Sequence, residues 1–263
     1  MAKPARQIDI IDARPAFTQS DADALNARFE GVDALTMLKT VFAEKLAGNV
    51  GVVSSFGTES AVLLDLIAKA DPNTPVIFVD TLKMFAETLN YRDLLVKRFG
   101  FTNSSVVAPR PEVLAAKDET GLRWSYDPDG CCEIRKVEPM QRAKDSLDAW
   151  ISGRKAFQAS TRKNLPRFEV EDGKLKINPL GDWTKADLEA YFADHDLPRH
   201  PLEAQGYLSI GCEPCTSKVM PGEDPRAGRW RGWDKVECGI HSPVSPVAKP
   251  AADPDDPANL PVF

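Results

Sequence analysis

Four short apolar runs rich in β-branched residues recur along the chain with helix-length segments between them, and this alternation constrains the fold most. The runs are 50–53 (VGVV), 74–80 (TPVIFVD), 104–109 (SSVVAP) and 148–153 (DAWISG). Each has the length and composition of a buried strand. Residues 61–70 and 85–99 carry helical patterning between them. Strands separated by helices pair in parallel through crossovers. The expected fold class is therefore α/β: a doubly wound, mostly parallel sheet with helices on both faces and an irregular C-terminal segment.

Around this core, Asp21 is placed to cap ADALNARF, and Asp33 to cap ALTMLKTVFAEKL. FEVEDGKLKI (168–177) alternates and turns at Asp172-Gly173, which predicts a peripheral hairpin. Asp182 or Thr184 starts the helix KADLEAYFADH. The last 21 residues hold six prolines and no periodicity, the pattern of an extended or flexible tail. Four segments are expected: 1–45 helical, 46–205 the α/β core, 206–242 cysteine-bearing and 243–263 the tail.

Of the 263 residues, 43% are hydrophobic and 27% charged, which excludes wholesale disorder. The net charge of −6 argues against bulk electrostatic binding of nucleic acid. No apolar run approaches the roughly 20 residues that cross a bilayer. The N-terminus lacks a secretory pattern, so a cytoplasmic location is expected. In that compartment five cysteines read as ligands or nucleophiles rather than as a disulfide frame.

Ser54-Ser55-Phe56-Gly57-Thr58-Glu59-Ser60 joins a strand to a helix. Backbone N–H groups at such a junction make an anion cradle, although a plain turn with a capping serine has the same composition. The segment is not of Walker type. Cys131-Cys132 and Cys212-x-x-Cys215 supply four thiolates, suited to zinc or to an iron–sulfur cluster. Vicinal cysteines diverge around one ion but can each meet a different iron, which favours [4Fe–4S] while leaving zinc, and a purely structural pair, open.

Cys238 stands apart in Glu237-Cys238-Gly239-Ile240-His241. It is either an accessible nucleophile, with His241 to lower its pKa or relay a proton, or a loop cysteine of no consequence. Basic residues gather at Arg135-Lys136, at Arg154, Lys155, Arg162, Lys163 and Arg167, and at Arg226, Arg229 and Arg231. Their positions beside cysteines and a strand's C-terminal end point to a bound polyanion. His195 and His200 lack a clear metal partner, and His195 is expected near a helix C-terminus.

Together, Cys131-Cys132-Glu-Ile-Arg-Lys136, Gly211-Cys212-Glu-Pro-Cys215, Gly222-Glu-Asp-Pro-Arg226-Ala-Gly-Arg229-Trp and Glu237-Cys238-Gly-Ile-His241 resemble the assimilatory adenylyl-sulfate (APS) reductases. These are thioredoxin-dependent enzymes of the phosphoadenylyl-sulfate (PAPS) reductase superfamily. The resemblance spans about residues 30–242 and implies an adenine nucleotide alpha hydrolase-like core. It implies that Cys131, Cys132, Cys212 and Cys215 hold a [4Fe–4S] cluster and that Cys238 is the nucleophile, with His241 beside it. Ser54, Ser55, Phe56, Gly57, Glu59, Ser60 and Asp80 fall in its nucleotide-binding segments. Gly153, Lys155, Gln158 and Arg162 fall in its arginine-rich loop, and Lys136, Arg162, Arg226 and Arg229 match positions that embrace the phosphosulfate. The implied partner is thioredoxin or a glutaredoxin-like dithiol, and assembly into a homo-oligomer is left open.

Four departures stand out. Leu82 replaces a glycine after Asp80-Thr81, Ser217-Lys218 follows Thr216 where Thr-Arg is usual, Lys155 replaces an arginine and Ala159 a serine. Leu82 restricts φ at a close backbone approach. Competing expectations are a PAPS or dual-substrate reductase using Lys163 or Lys218, an ATP-using thiolation enzyme, and a cluster-bearing sensor.

Overall fold

The β-branched runs at 50–53, 76–79 and 149–152 present alternate residues to two apolar layers, whereas the run at the sheet edge, 104–107, is largely exposed. The computed structural model describes residues 16–158 and 165–240. Its elements are α1 (Gln19–Arg28), α2 (Ala34–Ala43), β1 (Val50–Val53), α3 (Ser60–Ala70), β2 (Val76–Val79), α4 (Ala86–Phe99), β3 (Ser104–Val107), α5 (Pro111–Lys117), α6 (Pro128–Cys132), α7 (Glu138–Lys144), β4 (Ala149–Ser152), β5 (Phe168–Glu171), β6 (Lys174–Ile177) and α8 (Lys185–Asp194). Among the described residues, six strands form one sheet in the order β3-β2-β1-β4-β6-β5. All neighbours are parallel except β5 and β6. This is the expected α/β architecture.

The period of two is visible in the packing. Val52, Val76, Phe78, Ala149 and Ile151 face one layer with α2 and α3. Ile77, Val79 and Trp150 face the other, with Met140 of α7. Strand order reverses between β1 and β4, whose ends are level because Val53 pairs with Ser152. Ligands of open α/β sheets bind at the C-terminal ends of strands flanking such a reversal.

Two local expectations are corrected. The α1 cap is Thr18, and Asp21 is its capping-box partner, accepting the Thr18 amide at 2.7 Å. The 168–177 hairpin is not peripheral, because β6 lies inside the sheet between β4 and β5. Lys176 on β6 is accordingly buried, its ammonium 3.0 Å from Glu171 and over the Trp150 ring. Asp33, Thr184 and His195 take the capping positions expected of them. The tail from 243 and residues 1–15 lie outside the described residues.

Candidate active site

The loops after β1 and β4 line a cavity of about 360 Å³ at the strand reversal, within the range of small-ligand sites. From the β1 side come Ser54, Ser55, Gly57, Thr58, Glu59 and Ser60, and from the β4 side Gly153, Lys155 and Gln158. The loop turns sharply. Ser54 Oγ accepts the Phe56 amide at 3.2 Å, and Phe56 itself has φ +49°. Glu59 precedes α3 without capping it; instead Lys155 and Gln158 each donate to its Oε2 at 2.7 Å.

The cavity also carries basic residues and sulfur. Lys136, Arg226, Arg229 and Cys238 line the same cavity. Burial opposes the Lys136 ammonium, but the Cys212, Cys238 and Cys132 sulfurs outweigh it and hold its pKa above the ordinary lysine value. Burial pulls Arg229 below its ordinary value against the Cys238 sulfur, with Arg226 adding to the pull. Arg229 Nη1 donates to the Ile210 carbonyl at 3.3 Å, while its buried Nε has no partner among the described residues. A side chain at Gly211 would put Cβ 2.3 Å from Arg229 Nη2, so glycine admits the guanidinium here. Arg226 Nη2 donates to the Val236 carbonyl at 2.7 Å, fixing the irregular segment that leads to Cys238.

Beside these residues, Cys131, Cys132, Cys212 and Cys215 line one small cavity with Lys83, Trp124 and Trp230. A single π turn (Glu133–Val137) follows the vicinal pair and carries Lys136. Thr81 Oγ1 lies 3.2 Å from Cys212 Sγ. Burial raises the Cys131, Cys132 and Cys215 thiols to about 11, and neighbouring sulfurs add to this. For Cys212 burial is outweighed by Lys136, Thr81 and Arg229, and its pKa is lowered. Four thiols around one cavity with cations behind them match the donor set of a thiolate-bound cluster. Among the described residues no group of three ligands converges on a single metal ion.

The model of the phosphoadenosine phosphosulfate reductase domain matches residues 49–218. The chain belongs to this family. It is 47% identical over 241 residues to adenosine 5'-phosphosulfate reductase of Mesorhizobium japonicum, covering 92% of this chain and 94% of that one. It is 41% identical to phosphoadenosine 5'-phosphosulfate reductase of Gloeobacter violaceus, covering 76% and 84%. The phosphate complex of phosphoadenylyl-sulfate reductase from Candida auris superposes with TM-score 0.65 at 30% identity, covering 77% of this chain and 98% of that one. FMN adenylyltransferase of Candida glabrata, at 15% identity and TM-score 0.51, shares the fold alone. Membership makes the chain an oxidoreductase acting on a sulfur group.

Within this reductase, several residues stand elsewhere than the sequence suggested. Phe56 turns into the core against Phe78, with ring centroids 5.5 Å apart. Asp80 Oδ1 accepts the Leu82 amide at 2.8 Å, and Asp80 is not among the cavity-lining residues. Leu82 adopts φ +57°, the left-handed backbone a glycine would take freely, with its side chain exposed. Arg135, read as facing a polyanion, is held by Asp118, and Arg231 by Glu223. Arg154 is paired with Glu169 and Arg167 with Asp182. Arg162 and His241 lie outside the described residues. Sequence reasoning missed Leu208, Ser209 and Ile210, which form a wall of the cavity, and Glu203 beside them. For Leu208, Ser209 and Ile210 the signal was their position just before Gly211-Cys212.

Proposed function

We propose that this reductase converts adenylyl sulfate to sulfite and AMP in assimilatory sulfate reduction and cysteine biosynthesis, with thioredoxin or a similar dithiol as donor. The observation that carries the reading is the buried, unpartnered Nε of Arg229, held with Lys136 beside Cys238. A buried guanidinium donor without a partner calls for an anion.

The nucleotide occupies the loop 54–60 and the β4 end, and its phosphosulfate lies between Lys136, Arg226 and Arg229, joined by Arg162. These cations offset the oxygen charge that otherwise repels a thiolate. Cys238 gives its proton to His241 and attacks the sulfuryl sulfur. An S–S bond forms, the S–O bond to phosphate breaks, and AMP leaves with that electron pair. A dithiol thiolate then attacks Cys238 Sγ. Sulfite departs with the S–S electrons, and the second thiol closes the donor's disulfide. Two electrons come from the dithiol.

Cys131, Cys132, Cys212 and Cys215 would hold a [4Fe–4S] cluster, which supplies fixed charge near the sulfate and needs no change of oxidation state. The vicinal pair Cys131-Cys132, whose side chains diverge around one ion, suits a polynuclear cluster better than tetrahedral zinc.

The test is sulfite release by anaerobically purified protein with thioredoxin, given APS or PAPS in parallel. Sulfite from APS alone supports the reading. Preference for PAPS replaces it with the 3′-phosphorylated substrate, and no sulfite from either substrate removes it.

A further inference from the structure

The segment between α5 and the vicinal cysteines belongs to no motif of the chemistry described above, yet it is braced more tightly than any loop needs to be. Two carboxylates do this, and each is divided between a backbone amide and a guanidinium. Asp118 Oδ1 accepts the Arg123 amide at 2.9 Å, and its Oδ2 accepts Arg135 Nη2 at 2.7 Å and Nε at 3.0 Å. Asp127 Oδ1 accepts the Gly130 amide at 2.8 Å, capping α6, and its Oδ2 accepts Arg123 Nη2 at 2.7 Å and Nε at 2.9 Å. Arg123 therefore links the two carboxylates through its amide and its guanidinium.

The ends of this chain of contacts are the two cysteine pairs. Asp127 caps the five-residue helix that ends in Cys131-Cys132. Arg135 Nη1 donates to the Thr81 carbonyl at 2.9 Å, and the Thr81 hydroxyl meets Cys212 Sγ. Asp118 has no exposed side-chain surface, so its pairing with Arg135 is shielded from solvent and salt. Gly130 shows what the brace requires. A Cβ there would lie 2.2 Å from both Arg123 Nη2 and Asp127 Oδ2, so the guanidinium closes onto the carboxylate only over a bare backbone.

We propose that Asp118, Arg123, Asp127 and Gly130 are positioning residues that hold Cys131-Cys132 in register with Cys212 and Cys215 for cluster binding. The proposal rests on the cofactor reading given above. Gly130 has no positive φ and sits in a helix, so Gly130→Ala opens the brace without removing a charge or a hydrogen-bonding group.

The experiment compares full-length wild type, Gly130→Ala and Asp118→Asn, purified anaerobically. Readouts are iron and sulfide per chain, the rate at which a chelator bleaches the visible cluster band, and the unfolding midpoint of the metal-free chain. The expected result is bleaching about tenfold faster or more in both variants. For Gly130→Ala the metal-free midpoint is expected within about 4 °C of wild type. Equal bleaching rates in all three proteins overturn the proposal. So does a Gly130→Ala chain whose metal-free midpoint collapses, because the brace then serves the fold and not the site. Wild type that takes up no iron overturns the cofactor reading and this proposal together, while sulfite release stays separately measurable.

Discussion

Lys155 Nζ lies 2.7 Å from Glu59 Oε2 and ties the loop after β1 to the end of β4 across the strand reversal. The pair lines the cavity. Glu59 and Glu189 both act on Glu203 there, adding to the burial that raises its carboxyl above the ordinary value, with Arg199 opposing. Glu59, Glu189 and Glu203 thus form a group of carboxylates in the cavity wall, with Lys155 among them.

Glu59→Gln removes one of these carboxylates and releases Lys155. A unit charge several ångströms away in a partly solvated cavity contributes on the order of 1 kcal/mol, or about fivefold in affinity. The affinity for adenosine 3′,5′-bisphosphate relative to AMP is expected to rise by about that factor. Calorimetric titration of both nucleotides into both proteins checks it, and an unchanged ratio counts against the carboxylate's role.

Gly211→Ala is expected to act like the loss of Arg229, although it removes no charge. The added Cβ lands 2.3 Å from Nη2 and drives the guanidinium out of its seat. Losing one preorganised donor of this kind costs about 10²–10³ in kcat. Arg229→Gln and Gly211→Ala should show similar deficits in sulfite release. Full activity in Gly211→Ala would mean that the guanidinium has no fixed seat.

Cys238→Ser should abolish sulfite release, by at least about 10³-fold, because a serine hydroxyl is not ionised and leaves poorly from sulfur. Nucleotide binding should persist, since the substitution leaves the loop after β1 and the end of β4 unchanged. Loss of AMP binding together with turnover would instead point to a disrupted segment 236–240.

His200 makes folding depend on pH. Its Nδ1 accepts the Leu202 amide at 3.2 Å and its Nε2 meets Thr88 Oγ1 at 3.1 Å, so the ring is held neutral. Burial lowers its pKa to about 4, with Glu87 opposing. The unfolded chain binds the proton more readily, so this contribution is complete above about pH 6.5 and is lost as pH falls toward 4. The loss amounts to at most about 3 kcal/mol. Unfolding midpoints between pH 4 and 7 should fall more steeply for wild type than for His200→Gln. Parallel curves would place the ring's protonation outside folding.

Much of the fold was legible because its signals are local. A β-branched run of four residues, a helical period of 3.6 and an Asp or Thr ahead of an apolar-periodic run each depend on neighbours within one turn or one strand. Where local signals were ambiguous, packing decided. Asp21 was expected to cap α1, but Thr18 takes that place and Asp21 closes the box from the third helical position. Lys176 alternates like a surface residue, but the sheet is covered on both faces and Glu171 receives its charge. Phe56 sits inside a motif that reads as binding, yet φ +49° turns its ring into the core.

By itself, then, the sequence determined the strand–helix alternation, the cysteine and arginine motifs and, through them, the family. Only the tertiary structure decided which of those groups meet. Thr81 and Cys212 stand 131 positions apart and touch, and Arg229 reaches the cavity through space left at Gly211. Arg135 and Arg231, no less basic, are consumed by Asp118 and Glu223. Residue type and spacing encode chemistry over a few positions, whereas the field at a site sums charges and voids that only the packed chain brings within a few ångströms of one another.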